Sequence, residues 1–156
     1  MSDPHPTYQG LRARFLELPP AAGEAEAAYA LLLEVGAANV TTAIAATADG
    51  DASLYLSTGG GLLGGRGIAE ARESAQRMVN IAGQLADRTE PADDLRGPAS
   101  GEIALFLLTA GGPRVLRSPI AAKFAPDNPL IALLREQGVL IAALRSSPAK
   151  GVAVPG

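Results

Sequence analysis

The chain has no cysteine and no tryptophan, a single histidine, and only Lys123 and Lys150 as lysines. Without cysteine there can be no disulfide, no thiol nucleophile and no thiolate metal site. Its one imidazole, His5, stands in a Pro-rich N-terminal stretch expected to be loose, so a Ser/His/Asp triad or a histidine metal site has no material. Three Tyr and three Phe leave the core to Leu, Ala, Ile and Val. The net charge is −3 and the arginines are scattered along the chain, which provides no basic footprint for a nucleic-acid backbone. No charge-free apolar run approaches the ~18–20 residues of a membrane span. The opening Met-Ser-Asp-Pro-His-Pro also lacks the basic and apolar regions of a secretion signal. A cytoplasmic protein that meets neither nucleic acid nor membrane is expected.

What is present is a globular composition, 47% apolar and 19% charged over 156 residues. A chain of this size buries about 68–70% of the surface its unfolded form exposes, which suits one domain. The expected organisation is an N-terminal tail and packing arm over 1–20, a single α+β domain over 21–146 and a flexible tail over 147–156.

Along the arm, Tyr8, Leu11, Phe15 and Leu18 fall on one helical stripe that Pro19-Pro20 stops. Glu24 and Glu26 suit the first turn of a second helix, with Ala25, Ala28, Tyr29, Leu32 and Val35 as its apolar face and Gly36 as its stop. Val40–Ala48 is β-branched and small, Asp49-Gly50 is a strong hairpin signal, and Ala52–Thr58 returns as a strand. A calcium-loop reading of Asp49-Gly50-Asp51 fails because the further ligand positions are not filled. Ile68, Ala71, Ala75, Met78, Ala82 and Leu85 then trace a helix over 68–86, with Arg66/Glu70 and Glu73/Arg77 as i,i+4 pairs outside. Residues 87–101 form a polar surface connection, where Glu90, Asp93 and Asp94 make a solvated acidic cluster. Glu102–Thr109 is apolar on both faces, as a central strand is, and Arg114–Ser118 between two prolines suits an edge. Asn128 can cap and Pro129 can open a last helix whose stripe is Leu130, Leu133, Leu134, Gln137, Ile141 and Leu144. Gly138 could instead end that helix and release Val139–Leu144 as a strand; one helix is the reading adopted.

These elements add up to an α+β fold in the order α-β-β-α-β-β-α, an antiparallel sheet of about four to five strands with helices on its faces. The helix, the ATADGDASLYLS hairpin, the helix at 68–86 and the GEIALFLLT strand with its Gly-Gly turn resemble the element order of roadblock/LC7 and other profilin-like domains. The likeness covers roughly residues 22–145. SLYLSTGGGLLGG, GEIALFLLT and NPLIALLREQGVLIAALR also resemble a set of small bacterial proteins, a likeness that implies no activity. The roadblock resemblance implies a homodimer that scaffolds or regulates a small GTPase or another cytoplasmic protein, without catalytic residues or a cofactor of its own.

The candidate binding site is the loop Gly59, Gly60, Gly61, Gly64, Gly65, Arg66 and Gly67, which follows a strand and precedes a helix. It spells G-x-G-x-x-G, and amides ahead of a helix can cradle phosphate, so a nucleotide-binding or small-ligand module is the alternative function. The dinucleotide reading lacks an acidic residue at the end of the next strand, and the P-loop reading has Arg66 for Lys and Gly67 for the hydroxyl. The plainer explanation is that glycine supplies positive φ and close packing. Leu62 and Leu63, flanked by glycines with no neighbours to hide them, are the expected dimer patch, with a sheet edge as the other choice. No carboxylate is singled out for acid/base chemistry.

Overall fold

The computed structural model describes residues 5–19, 28–122, 124–146 and 152–153. Helix α1 spans Pro6–Leu16, and the strands β1 Ala30–Ala37, β2 Val40–Thr47, β3 Ala52–Leu56 and β4 Gly61–Leu63 follow it. Helix α2 (Ala69–Gly83) precedes β5 Glu90–Pro91, β6 Glu102–Thr109 and β7 Gly112–Pro119. Helix α3 (Pro129–Ser146) and the short β8 (Val152–Ala153) close the chain. All eight strands join one sheet in the order β5-β7-β6-β1-β2-β3-β4-β8. Every pairing is antiparallel.

The α+β class is as expected, while the strand number and element order are not. Residues 30–35, read as part of a helix that Gly36 stops, lie instead in β1 at the centre of the sheet between β2 and β6. The physical reason is burial on both faces. Ala30, Leu31, Leu32 and Leu33 are all fully buried, so the strand shows no alternation, and an unbroken apolar run also satisfies helical spacing. Glu24 and Glu26 lie outside the described residues. The expected loose start is also corrected from His5 onward, because His5 caps α1 by accepting the Thr7 N–H on Nδ1 at 3.1 Å. Residues 1–4 and most of the expected C-terminal tail are outside the description.

Other readings hold. The hairpin of β2 and β3 forms, with Ile44 opposite Leu54 and Ala46 opposite Ala52. Strand β6 is buried on both faces from Ile103 to Leu108. Strand β7, however, lies one place in from the expected edge, because the two-residue β5 pairs along its outer side at Arg114 and Val115 and takes the end of the sheet. Helix α3 is continuous through Gly138.

The sheet is a middle layer. On one face Leu31, Leu33, Ile44, Leu105 and Leu107 share a core with Met78 of α2 and with Leu133 and Leu140 of α3. On the other, Leu32, Ala43, Ala45, Phe106 and Leu108 pack beneath Tyr8 and Leu16 of α1. No helix among the described residues is long and apolar enough to cross a membrane.

Candidate functional site

Four regions carry chemistry, and the glycine loop is the first. Gly59 and Gly60 turn β3 into β4 with φ of 97° and 83°, and Gly61 pairs with Tyr55. A side chain at Gly61 would strike the Leu54 carbonyl, and a Cβ at Gly65 would stand 2.7 Å from that of Ala52. Gly64, at φ 86°, starts a 3₁₀ turn over Gly65–Gly67 that contains the backbone of Arg66. The Gly59 amide donates to Leu56 O at 2.9 Å, that of Gly67 to Gly64 O at 3.1 Å and that of Ile68 to Gly65 O at 3.0 Å. These three amides are thus spent on nearby backbone carbonyls, and the crowding at Gly61 and Gly65 gives two of the glycines a packing reason.

Leu62 and Leu63 part company in that loop. Strand geometry sends neighbours to opposite faces: Leu62 packs on the core beneath α2, Leu63 on the core beneath α1, and both are half-buried. Together with the β8 partners Ala153 and Val152, this leaves them with the neighbours they lacked in sequence.

The second region is a buried ionic group under α1. Glu34 of β1 is fully buried; Tyr8 donates its hydroxyl to Oε2, and Arg12 Nε lies 3.0 Å from both carboxylate oxygens. Small Ala43 and Ala104 flank Glu34 on the neighbouring strands and leave room for these two side chains. Burial first, and the Glu34 charge second, push the Tyr8 phenol up from its ordinary range. The Arg12 and Arg117 guanidiniums lie 5.2 and 5.5 Å from the centre of the Phe106 ring. A buried carboxylate bound this way fixes where α1 lies, since removing one partner leaves an uncompensated charge. The one acid in the run ALLLEV was its only sequence signal.

The third is an open cavity of about 410 Å³ beside β5 and β7, lined by Glu90, Asp93, Asp94, Arg96 and Arg117 with Pro91 and Val115. It contains the predicted acidic cluster. Arg96 answers Asp94 at 3.1 Å, and Arg117 reaches Glu102 at 3.4 Å and the Arg96 carbonyl at 2.7 Å. Among the described residues no three potential ligands gather to hold a metal ion.

The fourth region, which sequence reasoning passed over, is the outer face of α3. Asn128 Oδ1 accepts the Leu130 N–H at 3.0 Å, the expected cap. Leu130, Leu133, Leu140 and Leu144 face inward, and so do Glu136 and Gln137, each only 9% exposed. Glu136 accepts from Arg77 of α2, which therefore bonds across to α3 rather than to Glu73 as its spacing suggested; Ser74 Oγ donates to the Glu136 carbonyl at 3.4 Å. Outward stand Ala132, Arg135, Gly138, Val139, Ala142 and Arg145. Val139, at 47%, is the most exposed large apolar side chain among the described residues.

The chain matches no protein family, no curated protein and no solved structure with which it was compared.

Proposed function

We propose that this chain is a non-catalytic protein–protein interaction domain that works as a homodimer, joined through the outer face of α3. The observation that carries the reading is the inverted polarity of that helix: Glu136 and Gln137 are turned inward while Val139 stands in solvent. Burying polar groups costs free energy unless they are bonded, and exposing apolar surface forgoes what burial would contribute. A helix with few polar residues on its outer side is built to be covered there too. The face suits a second copy because it holds both a projection, Val139, and a recess at Gly138 and Ala142. An isologous interface needs that self-complementarity. The roadblock/LC7 resemblance points to the same class of function and adds a small GTPase or another cytoplasmic protein as a further partner of the dimer.

Light scattering over a concentration series tests the proposal. The intact chain is expected to be dimeric and Val139→Glu monomeric, with unchanged circular dichroism. Measured at dilutions where the intact chain is monomeric, unfolding stability should stay within about 0.5 kcal/mol, because the site is exposed among the described residues. Gln76→Glu, on the outer face of α2, should leave the dimer intact. An intact chain that stays monomeric, or a Val139→Glu variant that dimerises as before, overturns the reading.

A further inference from the structure

Gly138 is a residue that the described part of the chain does not explain. It lies inside α3, where glycine weakens a helix relative to alanine, and it is exposed. Its φ is not positive, and a Cβ built there would meet nothing within 4 Å. Neither backbone conformation nor crowding among the described residues requires glycine at that position. What a missing Cβ does allow is the close approach of another backbone, bringing helix axes toward the short end of the ~8–10 Å packing range.

We infer that a second copy of this chain crosses α3 antiparallel to it, with the closest approach at Gly138. This rests on the reading of the outer face of α3 as the dimer surface. The direction follows from charge. Asp127, just ahead of the Asn128 cap, and Arg145, in the last turn, are both exposed, and neither is engaged by another group among the described residues. A parallel pair would set Arg135 against Arg135 and Arg145 against Arg145. An antiparallel pair opposes the helix dipoles and brings unlike charges together at both ends. At ~1.5 Å of rise per residue, a two-fold axis level with Gln137 sets Arg145 of one copy opposite Pro129 of the other, within reach of its Asp127. Gly138 then lies beside the axis, where the helices are nearest.

Dimer dissociation of the full chain, measured by sedimentation equilibrium, with thermal unfolding of the same samples, tests this. Gly138→Ala should weaken the dimer by ~tenfold or more while raising the melting temperature of dilute, monomeric protein, because alanine favours the helix. Arg145→Asp and Asp127→Arg should each weaken the dimer, and the double variant should recover most of the loss. A Gly138→Ala dimer as tight as the original, or a double variant no better than the singles, overturns the antiparallel crossing. If Val139→Glu still splits that dimer, the surface stands and only this geometry falls. A chain that is monomeric before any substitution removes both.

Discussion

Helices α2 and α3 lie on the same face of the sheet and share one core, yet they treat water in opposite ways. Helix α2 shows Glu70, Glu73, Gln76 and Asn80 to solvent and lays Ala71, Ala75, Met78 and Ala82 against β1, β2 and β3. Helix α3 hides Glu136 and Gln137 and shows Val139, Ala132 and Ala142. The inner faces of both are ordinary core. The difference teaches that amphipathicity reports what a helix finally packs against: α2 is completed by its own chain, while α3 has an outer face that the described residues leave open.

The strongest test of the shared half of this comparison is truncation of the inner faces. Met78 and Leu133 are both fully buried. Met78→Ala in α2 and Leu133→Ala in α3 should each lower the unfolding free energy by about 2–5 kcal/mol in urea titrations. A cost below about 1 kcal/mol for Leu133→Ala alone would mean that α3 is only loosely docked, well short of the usual core range, and the comparison would break.

The next effect lies where the helices meet. Glu136 is largely buried with Arg77 as its partner, and Ser74 lies behind it. Arg77→Ala should cost about 1–3 kcal/mol by leaving a carboxylate short of a donor, nearer the lower figure because Arg77 is half exposed. Adding Glu136→Leu to Arg77→Ala should recover much of that loss, since a matched apolar replacement removes the unpaired charge. A double variant as unstable as the single would show that Glu136 is held by more than Arg77.

The same contrast explains which parts of the molecule were legible in sequence. The β2–β3 hairpin, β6, α2 and the capped start of α3 carry local signals: Asp49-Gly50, the apolar run EIALFLLT, the spacing from Ile68 to Ala82, and Asn128-Pro129. Strand β1 was hidden because a strand buried on both sides loses its alternation, and Ala28, Tyr29, Leu32 and Val35 then imitate a helix face. Glu34 shared that concealment, since its partners Tyr8 and Arg12 are distant in sequence and only the sheet brings them together. In the glycine loop a phosphate cradle and a tight strand-to-helix turn call for the same residue, so sequence does not separate them; the crowding at Gly61 and Gly65 is the part that only the fold reveals. For α3, the stripe of leucines with Gln137 was visible and the inward turn of Glu136 was not. Helical spacing puts residues on faces without saying which face is inside.

The smallest expected effect concerns how the two helices begin. Asn128 caps α3 with its side chain, whereas Ile68 holds the corresponding place before α2 and makes no side-chain cap, being buried in the core instead. Asn128→Ala should therefore cost about 1 kcal/mol, a typical loss of an N-cap. Because Asn128 stands next to Asp127 at the end that the antiparallel pairing would engage, the loss should also loosen the dimer through fraying of the first turn. Asn128→Ser keeps a capping oxygen and should restore both quantities. If Asn128→Ala leaves unfolding unchanged, burial of Leu130 and Leu133 anchors the start of α3 as Ile68 anchors α2, and at their N-termini the two helices are alike.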